Sequence, residues 1–341
     1  MYRVAVLTTP KHITIEHRPE PLLKPNEVWV KMEYAGVCGT DIALYSGDYP
    51  VPLPLVIGHE FSGIVEKVGS DEYQSWVGKP VVAEINNTCV AYKNETLCPA
   101  CQRGLINHCL TRTTLGIINY DGVFADYVKI PVGNLHSIPP GLSLTEAVLV
   151  EPLAAAFRTF ELSTVQQGDL VVLLGLGRLG QFIAAVARQY KVKLAIVVHR
   201  EESLETARKF GADYVFCSGT QDVEKEIKTI TQGLGADMVI EATGNPAGFS
   251  LAMNIVRPQG TLALKTTCGL PAEGVDATKL VVNEIRIQGS RCGPFDKALA
   301  FMVRKTIDYK SIISDILPLE ETGPAIELAS SRSKVLIRGN S

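Results

Sequence analysis

Four cysteines, Cys89, Cys98, Cys101 and Cys109, stand within 21 residues in the spacing C-x8-C-x2-C-x7-C. Thiolates are strong zinc donors, and four so close in sequence suit a closed tetrahedral site that pins a loop lacking a core of its own. Disulfide pairing is the competing reading, disfavoured in a reducing compartment. A second, dispersed set is Cys38 in AGVCGTD, His59 and Glu60 in VIGHEF, and Glu151 in VLVEPLAAA. Cysteine, histidine and carboxylate are donors of catalytic zinc, which takes three protein ligands and keeps a position open for water or substrate. Each also has a plain structural reading: Cys38 as a buried thiol, His59 as a satisfied core histidine, Glu151 as the first-turn acid of a helix beginning near Pro152. Residue type alone does not choose the metal.

The third chemical feature is GLGRLG, Gly175 to Gly180, between the apolar runs LVVLL and QFIAAVA. Glycine is common in any tight turn, so the pattern is weak by itself. Its context is stronger. Gly175 ends an apparent buried strand, Gly177 would let backbone approach a pyrophosphate, and Gly180 would let the following helix pack closely, leaving the N–H groups at Arg178 and Leu179 aimed at phosphate. The next strand, LAIVV, ends in His199-Arg200 where an NAD site usually has an acid. Arg200, helped by His199, suits a 2′-phosphate, so NADP is expected over NAD. The counter-readings are that Glu201 or Glu202 takes the ribose, or that Arg200 faces solvent.

These groups need a scaffold. The chain has 341 residues, enough for about two domains. Its 33 basic and 36 acidic residues give a formal charge of -3 with no long block of one sign, so no nucleic-acid footprint is expected. No window approaches the ~18 uninterrupted apolar residues of a membrane span, and the reading is a soluble, cytoplasmic protein with a small-molecule partner. To about Pro140, short alternating runs such as Glu27 to Met32 and Phe124 to Val128, broken by Gly, Pro and Asn, predict a β-rich domain with few helices. Beyond about Leu153 the texture changes. Strands at 171–174, 194–198, 214–216, 238–240 and 261–264 alternate with helices near 179–190, 203–210, 223–231 and 247–256, predicting a doubly wound parallel sheet. Lys334 to Arg338 reads as a strand returning to the first domain, which makes that domain discontinuous.

Taken together, GVCGTD, GHEFSGIVEKVG, the cysteine lobe ending CQRGLINHC, VEPLAAA, GLGRLG and IEATG occur in an order and at separations that resemble the zinc-dependent alcohol dehydrogenases of the medium-chain dehydrogenase/reductase family over nearly the whole chain. The glutamate in VEPLA is most similar to the polyol, sugar and threonine dehydrogenase branch. The resemblance implies an α/β fold: a GroES-like β-rich catalytic domain over 1–152 and 290–341, and a Rossmann domain over 153–289. It implies a catalytic zinc on Cys38, His59 and Glu151, with Glu60 as a neighbour that binds in some states and Asp41 orienting His59. A structural zinc on the four cysteines would make two per chain. Thr40 would receive the alcohol proton, and Thr243 and Arg291 would join the glycine loop at the cofactor. The implied activity is hydride transfer between NADP(H), or NAD(H), and a secondary alcohol, polyol or sugar, by a homodimer or homotetramer. The alternative is a dinucleotide-binding or sensing protein that kept the fold and the structural zinc without turnover.

Two departures stand out. Many relatives carry a proton-relaying histidine three residues after the position of Thr40, where this chain has Ala43. The cysteine lobe normally runs C-x2-C-x2-C-x7-C, whereas residues 90–97 separate the first two cysteines here. Glu95 occupies the place the unbroken spacing would give to cysteine. Cys89 is the preferred ligand, with the insertion bulging outward. Tyr45, Tyr120, Arg291 and Cys292 are candidates for the substrate pocket, Arg291 through a carboxylate or phosphate and Cys292 as a small packing residue.

Overall fold

Every residue of the strand Leu170–Leu174 is buried, so its apolar run is unbroken, as a strand covered on both faces requires. The sheet around it runs in the order Tyr214–Cys217, Lys193–Val198, Leu170–Leu174, Ala236–Glu241, Val256–Leu264, Arg286–Gly289. All neighbours are parallel. Numbered along this part of the chain the order is 3-2-1-4-5-6, the doubly wound dinucleotide-binding arrangement, whose direction reverses between strands 1 and 4. The helices Arg178–Ala187, Leu204–Lys209, Val223–Ile230 and Pro246–Ile255 fall within one or two residues of the expected bounds, except that the first continues to Tyr190 as a 3-10 turn. The strand expected at 261–264 starts at Val256, because Val256 pairs with Ala236 ahead of a register shift.

The computed structural model describes residues 1–265 and 275–339. The parallel sheet belongs to one compact unit, Pro152–Pro294; the other comprises Met1–Glu151 and Phe295–Ser341. The chain passes between units after Glu151, inside the helix Val150–Leu162, and again after Pro294. Residues 290–294, expected with the first domain, fall in the second unit. Two contacts hold them there: Lys265 Nζ donates to the carbonyls of Ser290 and Arg291 at 3.3 and 3.0 Å, and Gly293 lies so close to the Ala154 carbonyl that no side chain would fit between them.

The first unit is built on a seven-stranded sheet. Its central strand, Glu27–Gly36, pairs antiparallel with Glu60–Val68, Tyr127–Pro131 and Lys334–Arg338, so the C-terminal segment closes the sheet begun near the N-terminus. A second sheet joins His12–Arg18, Tyr2–Thr9 and Leu55–Val56. Phe124 to Val128, expected as one strand, divides between them. Phe124 accepts from Ala5 N–H at 2.8 Å, while the strand on Glu27–Gly36 begins at Tyr127. At that junction Trp29 stacks on Tyr127 with ring centroids 5.5 Å apart, and Tyr2 meets Trp29 edge-on at 5.1 Å. The longest helix before Val150 is Gly39–Ser46, ended by Gly47 at φ 88°, a left-handed conformation that favours glycine. Among the described residues no helix is long and apolar enough to cross a membrane.

Candidate active site

Two neighbouring strand ends in the first unit carry the donors that meet there. Gly36 closes the central strand and pairs with Glu60 on one side and Leu336 on the other. Cys38 follows two residues later as the residue preceding the helix Gly39–Ser46. His59 immediately precedes Glu60, so Cys38, His59 and Glu60 arrive together, with one ligand atom from each lying within 4.8 Å of the others.

The buried carboxylate of Asp41 fixes this arrangement. One oxygen accepts from Cys38 N–H at 2.8 Å and the other from Gly58 N–H at 3.1 Å, so one side chain ties the cysteine turn to the histidine turn. Asp41 Oδ1 also lies 3.5 Å from His59 Nδ1, too long for a good hydrogen bond. That nitrogen is buried and has no hydrogen-bond partner among the described residues. Burial works against charge on His59, yet Asp41 and the Cys38 thiol pull its pKa well above the ordinary value. The field of the site therefore favours positive charge. An orphaned imidazole nitrogen, a thiol and a carboxylate form a donor set that fits zinc.

Glu151 is the second residue of the helix Val150–Leu162; the carboxylate that lies within 4.8 Å of the Cys38 and His59 donors is Glu60. Lys334, almost fully buried, was not foreseen: it forms an ion pair with Glu60 and donates to the Val37 carbonyl at 3.1 Å. The only sequence signal was a lysine opening an apolar strand, since a buried ammonium must find an anion. Thr40 is half-buried with its hydroxyl 3.9 Å from Cys38 Sγ. Ala43 lies on the same helix and has no group that can carry a proton. Tyr45 donates to Glu327 at 2.9 Å, strapping two helices together, and Tyr120 donates to the Lys129 carbonyl at 3.1 Å.

The four cysteines also converge, with their sulfurs within 4.8 Å of one another. Cys89 and Cys109 are 3.3 Å apart, far beyond a disulfide bond. The backbone N–H groups of Cys89 and Leu110 point at the sulfurs of Cys109 and Cys98 at 3.5 and 3.4 Å. Burial raises Cys109, but hydrogen bonds from Thr111 and the Cys89 backbone hold it at about 6; burial and the neighbouring thiols push Cys101 up to about 12. Among the described residues the apolar side chains packed against the sulfurs are Leu97 and Ile106. Glu95 is exposed and outside the cluster. The insertion does not simply bulge outward. Ala91 is buried and its carbonyl accepts from Gly133 N–H at 3.0 Å, while the Tyr92 carbonyl accepts from Asn26 at 2.7 Å; residues 93–96 are exposed.

In the second unit the glycine loop follows strand 1. Gly175, at φ 94°, turns against Thr243, whose Cα is 3.2 Å from where a Cβ would stand, so residues 175 and 243 meet at the crevice where strand order reverses. A side chain on Gly180 would strike the Gly175 carbonyl, whereas one on Gly177 would meet nothing within 4 Å. Gly180 thus serves packing, and Gly177 leaves open space where a pyrophosphate would approach backbone. Arg178 and Leu179 start the helix at that point. His199 and Arg200 lie just past Lys193–Val198; His199 Nδ1 is 3.4 Å from Ser218 Oγ, and Arg200 pairs with Glu202 at 3.3 Å. Both members of that pair are about three-quarters exposed (75% and 73%), so it holds Arg200 weakly. Arg291 is exposed and Cys292 buried, both in the second unit.

Comparison with known proteins matches residues 24–140 to the alcohol dehydrogenase GroES-like domain and residues 179–304 to the zinc-binding dehydrogenase domain. Sorbitol dehydrogenase of Bacillus subtilis is 33% identical, across 96% of this chain and 93% of its own. D-xylulose reductase A of Aspergillus oryzae is 29% identical across 96% and 94%. A structure described as a zinc-binding dehydrogenase from Sinorhizobium meliloti, bound to NADP, superposes with a TM-score of 0.88 at 27% identity, covering 99% of both chains. With a GroES-like unit, a doubly wound dinucleotide fold and relatives of this kind, the chain belongs to the zinc-dependent medium-chain dehydrogenases, in the branch of the polyol dehydrogenases.

Proposed function

We propose that the protein moves hydride reversibly between NADP(H) and a polyol carrying a secondary alcohol, using one zinc at Cys38, His59 and a carboxylate and a second in the cysteine lobe. The observation that carries this reading is the meeting of Cys38, His59 and Glu60 around the Asp41 carboxylate. Zinc supplies the Lewis acidity that makes an alcohol acidic near neutral pH, and the nicotinamide accepts the hydride. The chain's own residues do the rest. Asp41 holds the cysteine and histidine turns in register, and Thr40 Oγ1, beside the Cys38 thiol, receives the alcohol proton. Ala43 cannot pass that proton on, so the chain's own residues would hold it at Thr40 Oγ1 until water takes it. Lys334 pairs with the Glu60 carboxylate and offsets its charge.

Glu60 is the third donor in this reading. Glu60→Gln is therefore expected to lower metal content by close to one zinc per chain, with Glu151→Gln retaining it; loss with Glu151→Gln instead would return that role to Glu151.

The preference for NADP rests on Arg200 and His199 at the end of strand 2. Arg200→Ala is expected to raise the KM for NADP by about 10- to 100-fold through loss of a charge-assisted phosphate contact, with little change for NAD. Side-by-side fluorescence titration with NADPH and NADH tests the same point in the native protein. Tighter NADH binding, or equal effects of the substitution on both cofactors, would overturn the assignment.

A further inference from the structure

His136 stands apart from both metal clusters, on the short strand Leu135–Ser137 of the first unit. Each ring nitrogen faces a carboxylate: Nδ1 is 2.8 Å from Asp296 Oδ1 and Nε2 is 3.1 Å from Glu84 Oε1. The ring also stacks on Phe295 with centroids 5.3 Å apart and an interplanar angle of 28°. Glu84 follows the neighbouring strand Pro80–Ala83, which pairs with Leu135–Ser137. Phe295 and Asp296 open the helix Phe295–Val303 and are the first two residues of the chain after it returns from the second unit. One imidazole therefore touches both residues at the point of return.

Neutral imidazole has a single N–H. It can donate to Glu84 or to Asp296, and its other nitrogen then presents a lone pair to a carboxylate. Only the imidazolium satisfies both contacts. We propose that His136 is a protonation-dependent clasp that pins the start of the returning helix to the sheet of the first unit, closed when the ring is charged and open on the Asp296 side when it is neutral.

Glu84 and Asp296 are the titratable groups that bear on the ring. Burial opposes the charge, but the hydrogen bonds to these two carboxylates outweigh it and raise the pKa above the ordinary value. A raised folded-state pKa means the clasp is fully closed below the unfolded value near 6.5 and is lost as pH rises through the higher folded-state value. The Asp296 contact is the one released, because that side chain is 88% exposed whereas Glu84 is 36% exposed, and water replaces the exposed partner at less cost.

Amide hydrogen exchange of the zinc-replete protein, read by mass spectrometry on a peptide beginning at Phe295 and corrected for intrinsic rates, tests this between pH 6 and pH 9. Protection of the first turn of Phe295–Val303 is expected to fall by about two- to five-fold across that range, the size typical of an exposed ion pair. Asp296→Asn, a change on the surface, should lower protection at pH 6 and abolish the pH dependence, and His136→Gln should do the same. Ring NMR should place the His136 titration above 6.5 and bring it down in Asp296→Asn. A pH-independent native profile, an unaltered pH profile in Asp296→Asn, or a His136 titration at or below 6.5 would overturn the clasp.

Discussion

Cys38→Ala is expected to lower kcat/KM for polyol oxidation by on the order of 1,000-fold or more while leaving the circular dichroism spectrum and the unfolding midpoint close to the native values. A factor of that size corresponds to about 4 kcal/mol of transition-state stabilisation, within reach of a Lewis acid that must hold a developing alkoxide charge. The fold should survive because the turn is organised by Asp41, whose carboxylate bonds the backbone N–H of residue 38 rather than its thiol. Cys38 is itself only half-buried, so removing the sulfur opens no large core cavity. Turnover retained by this variant would remove the metal from the mechanism.

The second large effect belongs to the cysteine lobe. Cys101→Ala is expected to cost one zinc per chain and to destabilise the lobe by about 3 kcal/mol or more, since metal binding in such a site is folding free energy. The local packing supports this: among the described residues the apolar side chains that join the sulfurs are Leu97 and Ile106, a cluster too small to order the loop unaided. Limited proteolysis should then cut within residues 89–112 faster than in the native protein. Unchanged zinc content and an unchanged cleavage pattern would show that the loop is ordered by its other contacts, such as the Ala91 and Tyr92 carbonyl bonds.

The legibility of the sequence follows the physics of each part. Four of the six strands of the parallel sheet could be read to within two residues because strands buried on both faces leave unbroken apolar runs such as LVVLL, and the helices between them carry a 3.6-residue period. The cysteine lobe was legible because its donors are close in sequence. What escaped depends on residues distant in the chain. Lys334 acquires its meaning from Glu60, 274 positions away, and only strand pairing through Gly36 brings them together. Phe124 to Val128 looked like one strand because alternation does not say how many sheets it serves. The insertion at 90–97 looked like a bulge because a backbone carbonyl bonded to Gly133 or Asn26 leaves no mark on residue type.

The central claim is that a metal held at Cys38 and His59 enables hydride transfer from a polyol to NADP. The most direct measurement follows NADPH formation over a panel of linear polyols in one preparation, before and after removal of the more labile zinc, with metal per chain determined at each stage. The account predicts turnover with two zinc per chain, loss of turnover when the first is withdrawn with the fold intact, and recovery when zinc is restored. Undiminished turnover after the labile zinc is gone, or no turnover on any polyol by protein holding both, would contradict it.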